Sequence, residues 1–294
     1  MVGEGRGCKS VPTVLIRLRR PMSTRKRGAR AHMAYGWCGR HWSQPTANES
    51  LASVLLLLAA YTLLWSAVWL ACVGVAAVAA PLLPASSRAH ENTASYVGQK
   101  LAATLKSALV AGLSNAALVE MALRPSPPLP HLYTELAGVY VTSFEAADTL
   151  LLAAFGHLDR LYLAHHAIHG ALGVLIRASC GPQFTATALM AQETSGVFLN
   201  YYLLMRHRRR DWSVRLAQRL FVLSFFAWRI GLGTYATLDF CLLGMGGAWS
   251  ALPPGVPYRG AAHAALGLGL VASSAMQWSW ARSIVRMGRG AKEE

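Results

Sequence analysis

Residues 51–78 read LASVLLLLAAYTLLWSAVWLACVGVAAV, 28 positions without one charged side chain. As an α-helix such a stretch rises about 42 Å. About 20 apolar residues already cross the hydrocarbon core of a bilayer, where every backbone N–H and C=O must pair within the segment. The stretch reads as a membrane span.

The rest of the chain follows the same pattern. Of 294 residues 54% are hydrophobic and 14% charged, against about a quarter charged in soluble domains. Six further segments have span length and apolarity: Leu101–Leu123, Leu136–Phe155, Leu161–Ala178, Phe184–Met205, Leu216–Leu243 and Ala261–Val285. Pro, Gly and charged residues punctuate them at Pro81–Pro84, Pro125–Pro130, Gly156–Arg160, Cys180–Pro182, Arg206–Asp211 and Pro253–Gly255. The expected fold is all-α, a polytopic membrane helix bundle of about seven transmembrane helices. It divides into a basic extension (1–50), a first span (51–83), a six-helix membrane domain (91–285) and a cytosolic tail (286–294).

The net charge of +15 is uneven, with 10 of the 28 Lys and Arg residues lying in residues 1–50. The remainder punctuates apolar runs rather than forming the wet basic face that nucleic acid requires, so no nucleic-acid partner is expected. Five scattered cysteines (Cys8, Cys38, Cys72, Cys180, Cys241) form no CxxC pair and support neither a disulfide framework nor a zinc knuckle. Basic residues near span ends mark the cytosolic side. Loops and adjoining span ends of one side, with the C-terminal tail, collect 13 Lys and Arg and those of the other collect 3, which places the C-terminus in the cytosol. Seven spans then put the basic stretch 1–50 on the wrong face. That conflict is resolved by a processed leader, a first segment that fails to span, or a start at Met33; a start or processing artefact is the expectation.

Ionisable groups at membrane depth are costly and face a bundle interior or a wet cavity. The candidates are Glu145 and Asp148, then His165, His166 and His169, then Glu193 and Asn200, then Arg229 and Asp239, with Gln192 and Gln277 beside them. Lys106 and Glu120 lie nearer span ends and are expected to snorkel to the interface. From the assumed topology the histidines lie about 6–12 Å in from the cytosolic face, Asp148 about 10–12 Å, and Glu193 and Arg229 about 18–20 Å. His165 and His169 share a helix face, as do Glu145 and Asp148. The economical reading is a polar chamber opening to the cytosol; the plainer one is hydrogen bonding across helices that fixes packing.

The histidine trio also resembles part of a membrane di-iron site, but two metals need several histidine clusters and the other seven histidines form none. A single metal held by His165, His169 and a carboxylate is the remaining metal reading; the expectation set here is no metal. General acid–base chemistry suits a histidine with a nearby carboxylate better.

The segments DRLYLAHHAIH (159–169), YVTSFEAADTLLL (140–152), ETSGVFLNYYLLMR (193–206), FVLSFFAWRIGLGTY (221–235) and MQWSWARSIVR (276–286) together resemble, in order, the TLC-domain family. That family includes the ceramide synthases, the TRAM translocation-associated proteins and smaller membrane proteins linked to lipid composition. The resemblance implies catalysis at His165 and His166, with Asp148 and Glu193, if the chain is a synthase. The rest of the chamber would be His169, Glu145, Asn200 and Arg229. Gln192-Glu193 and His169 depart from the synthase pattern, so the lipid-composition branch is the closer likeness.

The function expected is an endomembrane protein, of the endoplasmic reticulum or a related compartment, that influences membrane lipid composition through a polar intramembrane chamber. The alternative is an acyl-CoA-dependent N-acyltransferase with acyl-CoA as co-substrate, and a weaker one is a cargo or translocation factor. No cofactor is expected. Membrane lipids are the expected partners, and a homodimer is allowed.

Overall fold

The computed structural model describes residues 51–123, 130–178, 183–209, 211–242 and 259–290. The extension 1–50, the punctuation at 125–129, 180–182 and 253–255, and the last four residues lie outside them. Among the described residues all regular structure is helical.

Helix α1 (Leu51–Ala79) is apolar all round, so its sequence carries no inward stripe; packing chooses one. Trp65 and Trp69, one turn apart, are buried against Ala102, Ala103, Phe144 and Ala147, while Leu56, Leu63 and Val78 stay more than 70% exposed. An outer surface of large aliphatic side chains is what a lipid-facing helix presents.

Helix α2 (Ala94–Leu123) is the hub, packing on α1, on α3 (Pro130–Ala154), on α5 (Gln183–Ala191) and on α6 (Thr194–Met205). Small residues permit this: Ala102, Ala103, Ala111 and Ala117 are all buried. Gly98 is the closest approach, since an added Cβ would lie 2.6 Å from the Val73 Cα. Backbone cannot swing aside as a side-chain tip can. Gly98→Ala is therefore expected to cost about 1–3 kcal/mol by overpacking. Gly112→Ala, with nothing within 4 Å, should be neutral or gain up to about 1 kcal/mol of helix propensity. Loss of helicity on SDS titration of the two variants checks this.

Helix α4 (Arg160–Ala178) packs on α3 and on α9 (Arg259–Gly290). Leu172 meets Leu266, Leu270 and Phe240 in a second apolar cluster.

Two expected segments differ in detail. Phe184–Met205 is not one helix: α5 and α6 meet in a tight turn at Gln192–Glu193, whose N–H groups donate to the Leu189 and Met190 carbonyls. The Thr194 and Ser195 hydroxyls donate to the carbonyls of Ala191 and Gln192, satisfying backbone that the break leaves unpaired. The Leu216–Leu243 segment starts four residues early at α7 (Trp212–Ser224), because Asp211 caps it by accepting from the Ser213 and Val214 N–H groups. The Ser213 hydroxyl, with those N–H groups, holds the Asp211 carboxyl below its ordinary range. From α7 the chain runs through a widened π turn (Phe225–Leu232) into α8 (Gly233–Leu238).

Among the described residues the seven expected segments fall on helices, and four regions are long and apolar enough to cross a membrane: Leu55–Ala79, Ala94–Leu123, Leu136–Ala154 and Trp212–Leu242. The other three fall short of that combination. Helix α4 has 19 residues and carries three histidines, α5 and α6 have 9 and 12 residues, and α9 is interrupted by Arg259, His263, Gln277, Arg282 and Arg286.

Candidate functional site

Seven elements converge on one buried polar network: α1 through Trp69, α2 through Gln99, Lys106 and Ser107, α3 through Glu145, Asp148 and Thr149, and α4 through Tyr162 and the three histidines. The α5–α6 turn adds Glu193 and Ser195, the π turn adds Arg229, and α9 adds Ser273 and Gln277.

Asp148 is fully buried and both its oxygens act as acceptors. Trp69 Nε1 donates to Oδ1 at 3.0 Å, the Tyr162 hydroxyl to Oδ2 at 3.0 Å, and Gln99 Nε2 lies 3.4 Å from each. His166 Nε2 stands 3.9 Å from Oδ2, too far for a hydrogen bond.

The other ring nitrogen of His166 is fixed. Nδ1 lies 2.9 Å from Thr149 Oγ1 and 3.2 Å from the Glu145 carbonyl. The Thr149 hydroxyl spends its one proton on that same carbonyl at 2.7 Å, so toward His166 it accepts, and a carbonyl can only accept. The proton sits on Nδ1, and in the neutral ring Nε2 keeps its lone pair, facing the Asp148 side.

Glu193 sits at the helix break. Its Oε2 accepts from Lys106 Nζ at 2.8 Å and from Ser107 Oγ at 2.6 Å, and Lys106 Nζ also lies 5.1 Å from the Phe144 ring centroid. Lys106 is only 7% exposed; it does not snorkel, because this carboxylate across the helix interface is a better partner than the membrane surface.

Arg229 is 8% exposed. Nε donates to Ser195 Oγ at 2.7 Å and Nη1 to Gln277 Oε1 at 3.4 Å. Among the described residues no carboxylate lies within 4.0 Å of it; Glu193 and Glu145 act on it only at longer range. A guanidinium has five N–H donors, so most of its capacity is unspent.

The third cluster joins α3 and α4. The His165 ring lies tilted against that of His169, centroids 4.2 Å apart, and against that of Trp280, centroids 5.3 Å apart. His169 Nδ1 lies 4.0 Å from Glu145 Oε1, and its Nε2 lies 3.1 Å from Ser273 Oγ. One ligand atom each from Glu145, His165 and His169 fall within 4.8 Å of one another. Glu145 is within electrostatic range of Lys106, Glu193, Asp148 and Arg229, so the clusters share one field.

Of the residues singled out from the sequence, Glu145, Asp148, His165, His166, His169, Glu193 and Arg229 come together. Asn200 is half-buried on α6 and takes no part in these bonds. Glu120 is half-buried, with one carboxyl oxygen enclosed and without a hydrogen-bond partner.

Trp69, Gln99, Ser107, Thr149, Tyr162, Ser195 and Ser273 are the additions. Gln99 falls before the apolar run that begins at Leu101, yet α2 starts at Ala94. Tyr162 and Ser273 are one turn from His166 and Gln277, which is the signal that places them on the same helix faces. No protein-family model, curated protein or solved structure matches the chain.

Proposed function

We propose that the chain is a multi-pass membrane protein of the TLC-like type, with seven spans and a cytosolic C-terminus, that binds the anionic headgroup of a membrane lipid and so influences lipid composition. The observation that carries this is Arg229: a buried guanidinium in the π turn of a membrane-length helix, positioned by Ser195 and Gln277 and without a carboxylate within 4.0 Å among the described residues. Widened turns of this kind recur at functional sites. A planar fork of donors matches a phosphate oxygen pair, and such charge-assisted bonds are the strong ones. Glu193 and Lys106 neutralise each other beside it. Comparing membrane phospholipids in cells with and without the chain tests the reading. A composition change on loss should be restored by the wild-type gene and not by Arg229→Gln. Equal restoration by both would refute it.

The second reading, acyl transfer from acyl-CoA to a lipid amine, is favoured by the His166 geometry. With Nδ1 held by Thr149 and the Glu145 carbonyl, Nε2 is the nitrogen that would take the amine proton, with Asp148 nearby to stabilise the imidazolium. On this reading the purified chain yields amide from long-chain acyl-CoA and a sphingoid amine, and His166→Ala lowers the rate about 10²–10⁴-fold. Absence of amide product would leave the lipid-binding reading alone.

A further inference from the structure

We propose that Glu145, His165 and His169 form a binding site for one divalent first-row transition metal ion, with Zn²⁺ the ion that suits the donors. The site is independent of lipid binding at Arg229.

Two separate observations converge on it. The first is the donor set: two imidazoles at i and i+4 on α4 and a carboxylate from α3, with ligand atoms within 4.8 Å of one another. Two histidines and a carboxylate with a further position open is a set used for Zn²⁺ and for Fe²⁺. Bonds of about 2.0–2.1 Å in a tetrahedral site put ligand atoms about 3.3 Å apart. Ligand atoms now up to 4.8 Å apart would have to close by up to about 1.5 Å to surround an ion.

The second is that the same side chains carry polar atoms with nothing to bond. Glu145 is 3% exposed, yet among the described residues its Oε2 has no hydrogen-bond partner, and neither has His165 Nδ1. Each such buried atom has given up its bonds to water without a replacement. Glu145 Oε1 stands 4.0 Å from His169 Nδ1, beyond hydrogen-bond reach, so the two do not satisfy each other.

The surroundings fit an ion. Ser273 Oγ lies 3.1 Å from His169 Nε2. Accepting the Nε2 proton there leaves the Nδ1 lone pair directed to the Glu145 side, as a hydrogen bond behind a ligating imidazole does in metal sites. Once Glu145 gives up its proton to ligate an ion, the charged groups acting on one another are three carboxylates (Glu145, Asp148, Glu193) and two cations (Lys106, Arg229). Their excess is one negative charge, so a divalent cation is not repelled by the cluster as a whole. His166 takes no part, because its free Nε2 faces Asp148 Oδ2 at 3.9 Å and not the Glu145, His165 and His169 ligand atoms.

The test uses the full chain purified in detergent, stripped with a chelator, then dialysed against Zn²⁺ for elemental analysis or titrated with Co²⁺ and followed by visible absorption. The expected results are about one equivalent of Zn²⁺ retained per chain, and a Co²⁺ spectrum that saturates at the same ratio. Ser273→Ala should weaken binding about 10–100-fold, and His165→Gln, His169→Gln and Glu145→Gln should each weaken it more. His90→Gln, an exposed histidine ahead of α2, should leave it unchanged. Two outcomes would overturn the site: wild-type chain that retains no Zn²⁺ and gives no saturable Co²⁺ spectrum, or retention in His169→Gln equal to wild type. The wild-type Co²⁺ titration decides the matter even where a variant fails to fold.

Discussion

Lys106→Met is expected to destabilise the bundle by about 3–5 kcal/mol, the cost of removing one partner from a buried ion pair and leaving the other charge uncompensated. Methionine keeps much of the volume over Phe144, so the effect is electrostatic rather than a cavity. Glu193 would retain only the Ser107 hydroxyl, at 2.6 Å, as a side-chain partner. Neutral polar contacts between membrane helices average only about 0.6 kcal/mol, because the separated helices find other partners; a stranded carboxylate does not share that leniency. Lys106→Met with Glu193→Gln should recover most of the loss, since both charges are then gone. Loss of helicity on SDS titration, run as a double-mutant cycle, reads the coupling. A single-variant cost no greater than that of the double variant would show that the pair is not enclosed as described.

Asp148→Ala is the second large effect. It removes the acceptor of three donors drawn from three other helices: Trp69 Nε1 on α1, Gln99 Nε2 on α2 and the Tyr162 hydroxyl on α4. Gln99 can turn away, but the indole is held in the Trp65–Phe144 cluster and the Tyr162 ring packs, tilted, with its centroid 4.3 Å from that of His166. Two donors stranded at about 1–3 kcal/mol each predict a loss of about 2–6 kcal/mol. Asp148→Asn should cost less, about 1–3 kcal/mol. Whichever way the amide is turned, its NH₂ faces either the Trp69 N–H or the Tyr162 O–H. Asp148 thus acts first as the residue that ties α1, α2 and α4 to α3, and only through His166 on any chemistry. The same unfolding measurement ranks the two variants, and an alanine variant as stable as wild type would contradict the hub.

The helices were legible because apolarity over a span length is a local property. Where they bend was not: the break at Gln192–Glu193 rests on hydroxyls of Thr194 and Ser195 that turn back to the chain, inside a run whose apolarity reads straight through. Glu145, Asp148, the three histidines, Glu193 and Arg229 stand out in the sequence as charges or imidazoles where lipid would exclude them. Their partners do not. Trp69 is one aromatic among 28 uncharged residues, and Lys106 reads as snorkelling until α2 is set against the α5–α6 turn. Which polar groups meet is fixed by the rotation of each helix about its axis. That rotation is set by Gly98 against Val73 and by Leu172 against Leu266, contacts far apart in the chain.

If the buried Arg229 guanidinium holds a lipid headgroup, as proposed, native mass spectrometry of the purified chain should detect the bound lipid. Wild type should carry a phospholipid that survives detergent exchange. Arg229→Gln, equally monodisperse and helical, should lose it about 10–100-fold, the loss expected for charge-assisted hydrogen bonds worth about 1.5–3 kcal/mol. Retention of the same lipid by Arg229→Gln, or a wild-type chain that holds none, would contradict the claim.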